Sequence, residues 1–185
     1  VETVVYSPET QKLTYTVIDD TTNTTLEDKK DLASGDSNSD VKPETQTTYD
    51  NIVASYEAKG YELVRKDALP TKFDTDTTVD QNVTIHLKHK TEVTQESKKV
   101  KHTINYVYKD NNPAEPAFPT VERELEFTRE NTKDLVTNVV TNGQWTPANG
   151  TSFGEVVSPT KPGYTADKAK VEAVNNVTED TADIV

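Results

Sequence analysis

Three histidines, His86, His89 and His102, are the only side chains whose ordinary charge change falls near neutral pH, so acid–base chemistry would start with them. His86 and His89 stand three apart in a segment that reads as a strand, which sends them to opposite faces and prevents joint chelation. A lone outward His on a sheet, as His86 is beside Thr84 and Lys88, is read as a surface residue. The absence of Cys removes thiol catalysis, disulfides and Cys-based zinc sites. No Gly-x-Ser-x-Gly, no His-Glu-x-x-His and no glycine-rich phosphate loop occurs. Carboxylates offer one further option, a hard cation. Asp36, Asn38 and Asp40 have the opening spacing of a calcium loop, but Val41 stands where its Gly belongs and Thr47 where its Glu belongs. Asp74, Asp76 and Asp80 form a second set of candidate calcium ligands. The plainer reading of each is a solvated acidic loop.

These residues need a scaffold, and the pattern supplies one. Thr48 to Val64 is the one convincing amphipathic helix and its exit: Tyr49, Ile52, Val53 and Tyr56 share a face, with Thr47 or Thr48 as the cap. Gly60 ends it, and Tyr61 to Arg65 follows as a strand. Lys12 to Asp19 alternates as a first strand, Thr25 to Leu32 partners it, and Ser34 to Asp40 is a polar loop. Asn82 to His89 alternates through Val83, Ile85 and Leu87. Strand, strand, helix, strand, strand is the order of a ubiquitin-like β-grasp unit over residues 10–90. Residues 91–99 are polar and charged and read as a linker. Residues 100–185 read as a second, mainly β domain, with strands from Val100 to Tyr108, Val121 to Arg129, Lys133 to Thr141 and near Lys170 to Val174. Trp145 anchors its smaller core. The fold class expected is thus α+β and then mostly β.

The two halves echo each other. Leu13, Tyr15, Val17 and Asp19 match Ile104, Tyr106, Tyr108 and Asp110, and Gly60-Tyr61 matches Gly163-Tyr164. The second half is longer between these marks, about where the strand at Lys133 to Thr141 falls.

Composition narrows the function. The chain has 185 residues and a formal net charge of −12, which disfavours nucleic acid and anionic lipid as partners. Hydrophobic residues make up 32% and mean hydropathy is −0.78, so each core is modest, and no apolar run is long enough to span a membrane. The lack of an initial Met marks a fragment, and residues 1–9 read as the end of a preceding repeat or linker. Eight Tyr and one Trp suit core corners, sugar stacking or protein hot spots.

Leu13 to Asp20, the helix Tyr49 to Tyr56, Lys59-Gly-Tyr-Glu-Leu-Val64 and Asp80 to His89 together resemble the mucus-binding repeat of lactobacillal surface adhesins. The second half, from Val100 through Tyr108 to Gly163-Tyr164, is similar to the companion mucin-binding-protein domain. The resemblance implies a bacterial cell-wall-anchored adhesin with tandem repeats in an elongated arrangement, binding host mucin glycoproteins beside neighbouring repeats. It also admits mammalian immunoglobulins as partners, and it carries over no set of binding residues.

Three functions follow in order. The first is a non-enzymatic mucin-binding module that gains from repetition. The second is immunoglobulin capture at a sheet edge, and the third a stalk spacer. An enzyme comes last, because domains of about 90 residues leave little room for a deep cleft.

Overall fold

Thr45, Tyr49 and Val53 recur every four residues and are the buried stripe of the single α-helix, α1 (Glu44–Glu57). A computed structural model describes all residues from Val1 to Val185. The chain is mostly β with several sheets, and it divides into two units. Unit 1 comprises Val1–Glu92 together with Lys133–Val140, and unit 2 comprises Val93–Thr132 together with Thr141–Val185.

In unit 1, β1 (Thr10–Asp19), β2 (Thr24–Asp36), β3 (Tyr61–Lys66) and β4 (Gln81–His89) form one sheet in the order β2-β1-β4-β3. β1 runs parallel to β4, with Leu13 opposite Gln81 and Asp19 opposite Leu87, while both outer pairs are antiparallel. Alternation places Leu13, Val17, Val83, Ile85 and Leu87 on the covered face, where they meet Tyr49, Val53 and Phe73. Three tyrosine tips find partners. Tyr49 Oη donates to Asp67 O (2.9 Å), while Tyr15 and Tyr56 donate to the two oxygens of Glu27 (3.0 and 2.7 Å). Burial and then the Glu27 carboxylate push the Tyr15 hydroxyl up to about 12.

The second unit is built on a long ribbon. β5 (Thr91–Tyr106) and β6 (Phe118–Asp134) pair, β7 (Val140–Asn142) and β8 (Thr146–Pro147) both lie on β6, and β9 (Val156–Val157) pairs with β10 (Lys170–Val171). Val100, Leu125, Phe127, Phe153 and Val177 form the core, with Trp145 and Val174 packed against it. The alternation expected from Val100 to Tyr108 holds at Val100, His102, Ile104 and Tyr108, which are buried, while Tyr106 is half-buried and β5 ends there.

Four local expectations change. The helix begins at Glu44 after Pro43, with no side-chain cap, and Thr48 Oγ1 instead donates to Glu44 O within the first turns. The loop expected from Ser34 starts later, because β2 continues to Asp36 against the start of β1. Residues 91–99 are the first part of β5, not a linker. Their polarity misled because this end of the ribbon is exposed and is held by cross-strand polar pairs: Gln95 with Glu130, Glu96 with Arg129, Ser97 with Glu126. Lys133 to Thr141 is the end of β6, a turn and the start of β7. Its residues up to Val140 belong to unit 1.

Candidate functional site

Val83, Ile85 and Leu87 face the core, and two residues further the same alternation carries His89 inward at the end of β4. Its side chain is 6% exposed, with a carboxylate on each ring nitrogen. Nε2 lies 2.6 Å from Asp19 Oδ2 and Nδ1 lies 2.6 Å from Asp134 Oδ2. Ionised carboxylates only accept, so two such contacts require both ring nitrogens to donate, which is the charged imidazolium. Burial alone would lower the pKa of His89, but the hydrogen bonds to Asp134 and Asp19 and their charges outweigh it and hold the pKa above the ordinary histidine value.

Each carboxylate divides its work between the ring and its own backbone. Asp19 Oδ1 accepts from Thr21 N (2.9 Å), and Asp134 Oδ1 accepts from Val136 N (2.8 Å) and Thr137 N (3.1 Å). Hydrogen bonds from His89 and from this turn keep the Asp134 carboxyl below the usual range. Tyr61 closes the remaining side with its ring edge-on at 5.4 Å, and Thr21 Oγ1 accepts from His89 N at 2.8 Å. The cluster is filled by its own partners. It is a clasp for the turn after Asp134.

His86 points the other way, as expected, and lies 2.8 Å from Asp20 and 3.2 Å from Arg65. His102 is 2% exposed in unit 2, on the inward side where its alternation with Val100 and Ile104 puts it. Arg123 Nη2 donates to its Nδ1 at 2.6 Å, which keeps that nitrogen unprotonated. Burial, and then the guanidinium charge, hold its pKa below the ordinary value.

The candidate calcium ligands are not gathered. Asp36 ends β2, Asn38 takes a left-handed backbone (φ 63°), and Asp40 faces only Lys72 at 4.0 Å. Asp74 and Asp76 fold onto their own loop, accepting from Asp76 N and Thr78 N respectively, and Asp80 precedes β4. No group of three or more His, Cys, Asp or Glu is arranged to hold a metal ion.

A cleft of about 400 Å3 opens in unit 2 where the chain leaves β7 and rejoins β6 as β8. Gln95, Thr128, Arg129, Glu130, Gln144 and Thr146 line it, and Gly143 forms part of its floor, with its N–H on Glu130 O at 2.7 Å. Trp145 stands between the lining residues Gln144 and Thr146. The Arg129 guanidinium lies 4.5 Å from the Trp145 ring centroid, and its Nε donates to Glu96 at 2.7 Å. Sequence reasoning missed this cleft, because Gln95 comes from the stretch read as a linker and Gln144 and Thr146 from a turn, while Thr128 and Arg129 read only as part of a strand.

Residues 91–185 match the family described as Muc B2-like domain. The chain belongs to that family. Ahead of this Muc B2-like region, residues 11–89 match the family described as Mucin binding domain. The crystal structure of Mub-RV is 30% identical, covers 94% of each chain and has a TM-score of 0.68. The type 2 repeat of the mucus binding protein MUB from Lactobacillus reuteri is 27% identical, with 94% of this chain and 96% of that one covered and a TM-score of 0.50. The mucin-binding domain of Spr1345 from Streptococcus pneumoniae is 31% identical over 50% of this chain and 87% of its own, with a TM-score of 0.44. No curated protein matches the sequence. No helix is long and apolar enough to cross a membrane.

Proposed function

We propose that this chain is a non-catalytic repeat of a bacterial cell-surface adhesin that binds mucin glycoproteins outside the cell. The observation that carries the reading is the likeness to two Mub repeats along almost the whole chain, joined to a Mucin binding domain match over unit 1 strands and helix. Unit 1 supports the β-grasp reading: its parallel central pair, β1 and β4, is flanked by β2 and β3, and α1 follows the second strand. Unit 2 is then the mainly β companion domain. The charge of −12 fits a partner recognised through hydroxyl and amide groups rather than through phosphate.

Weak single contacts gain by repetition, so the test uses one copy and a tandem pair on immobilised mucin before and after enzymatic removal of its glycans. Retention that grows with copy number and falls on deglycosylation is expected. Retention by immunoglobulin alone, or by neither surface, overturns the reading in favour of an immunoglobulin-binding module or a spacer.

A further inference from the structure

We propose that the cleft between β5, β6 and residues 143–146 is a subsite for a neutral sugar presenting adjacent hydroxyls. The inference rests on the mucin-binding reading and names a place and a ligand class for it.

Three observations converge. The lining is made of flat polar groups, two amides, a carboxylate and a guanidinium, with two threonine hydroxyls among them. Such groups offer paired donors or acceptors at the separation of neighbouring hydroxyls on a pyranose ring. Gln95, Glu130 and Gln144 are exposed, so the hydroxyls need displace only water to reach them. A volume of about 400 Å3 lies in the range of small-ligand sites.

The groups are also held in place before any ligand arrives. Arg129 is fixed by Glu96 and by the Trp145 ring, and Gln95 Nε2 donates to Glu130 Oε1 at 3.3 Å. Asn131, on the same face of β6 as Arg129, donates to the same Glu96 oxygen at 2.8 Å and leaves its buried Oδ1 without a partner. A pre-set polar frame lowers the ordering cost of a weak ligand.

Charge then selects among sugars. Glu96 already neutralises the Arg129 guanidinium, and Glu130 is the one carboxylate among the lining residues. An anionic sugar meets that carboxylate and a chain of net charge −12, whereas the hydroxyls of a neutral sugar can donate to Glu130. A carboxylate accepts up to about four hydrogen bonds, so Glu130 retains capacity beyond Gln95.

The whole chain, labelled with 15N, is titrated at tens of millimolar with galactose, N-acetylgalactosamine and fucose, and with N-acetylneuraminic acid as the acidic counterpart. Saturable shifts at the amides of Gln95, Arg129, Gly143 and Gln144 with a neutral sugar are expected. Gln144→Ala and Glu130→Gln, both at exposed positions, are each expected to weaken them about tenfold with the remaining spectrum unchanged. Overturning results are no saturable shift with any neutral sugar, shifts confined to other residues, equal response to the acidic sugar, or indifference to both variants. Mucin retention, measured in parallel, separates the two readings. If the variants hold mucin as the parent does and no sugar shifts the cleft, the subsite falls and the adhesin reading stands. If the parent ignores mucin while the cleft responds to sugar, the reverse holds.

Discussion

Unit 1 and unit 2 each bury one histidine, and the two are wired in opposite senses. His89 has acceptors on both nitrogens, Asp19 and Asp134, and is held as a cation. His102 has a donor on Nδ1, Arg123, and lies against the Phe153 ring at 5.1 Å, so it is held neutral. The lesson is that burial alone does not set the charge of an imidazole. Whether the neighbouring groups accept or donate decides it. A second matched pair differs as sharply. Gly60 and Gly163 both have positive φ (97° and 84°), but a methyl on Gly60 would stand 2.2 Å from Leu135 O, while one on Gly163 would meet nothing within 4 Å.

The largest effect expected from breaking this contrast is at Gly60. Gly60→Ala adds backbone strain to a collision with main chain that cannot move aside, and should destabilise unit 1 by about 4 kcal/mol in urea unfolding. Gly163→Ala carries only the strain, about 1 kcal/mol. Equal losses at the two sites would show that the close approach of Leu135 contributes nothing.

Next comes His89→Leu, which leaves two carboxylates facing each other without a counter-charge. Its cost should be about 3 kcal/mol, against about 1 kcal/mol for His102→Leu, where Arg123 keeps its bond to Gly154 O. Protection of the amides of Val136 and Thr137 from hydrogen exchange should fall selectively in the first variant.

A smaller effect separates the two units by pH. With its pKa raised, His89 adds stability that is complete below the unfolded value of about 6.5 and is lost as pH rises through the folded value. Asp134, with its pKa lowered, adds stability that is present above about 3.9 and lost as pH falls through its folded value. His102, with its pKa lowered, loses stability as pH falls below about 6.5, because the unfolded ring takes a proton that the folded one refuses. Acidifying from about pH 7.5 to about pH 5.5 should therefore strengthen unit 1 and weaken unit 2. Tyr61 is the other titratable group against His89, and its raised pKa keeps it uncharged throughout. Hydrogen exchange followed separately in each unit gives the readout, and parallel trends would contradict the assignment. The smallest effect is expected from calcium: a chelator should shift neither unfolding transition, and a loss confined to unit 1 would restore one of its two sets, Asp36, Asn38 and Asp40 or Asp74, Asp76 and Asp80, as ligands.

Much of unit 1 was legible because its core follows local periods. Tyr49 and Val53 keep the helical period, and Val83, Ile85 and Leu87 keep the strand period, without regard to distant residues. The histidine site was half legible. Alternation from Leu87 puts His89 inward, and from Val17 it puts Asp19 inward, yet both were passed over because polar residues at strand ends ordinarily face water. Asp134 had no such signal, since it stands 45 residues away and arrives from a different sheet. The start of β5 was hidden for another reason. Gln95, Glu96 and Ser97 pair across the ribbon with charged and polar residues, so this stretch carries no apolar stripe to mark it as a strand.

The turn at Lys133–Val140 has a consequence for inheritance. It lies within the stretch matched by the Muc B2-like domain, but it is physically part of unit 1, where Leu135 N bonds Lys90 O and Asp134 completes the clasp on His89. A recombination event that joined a foreign second half after Lys90 would deliver a first half lacking its own Asp134. Gene exchange should therefore preserve the two matched domains as one heritable cassette, with crossovers inside the pair selected against.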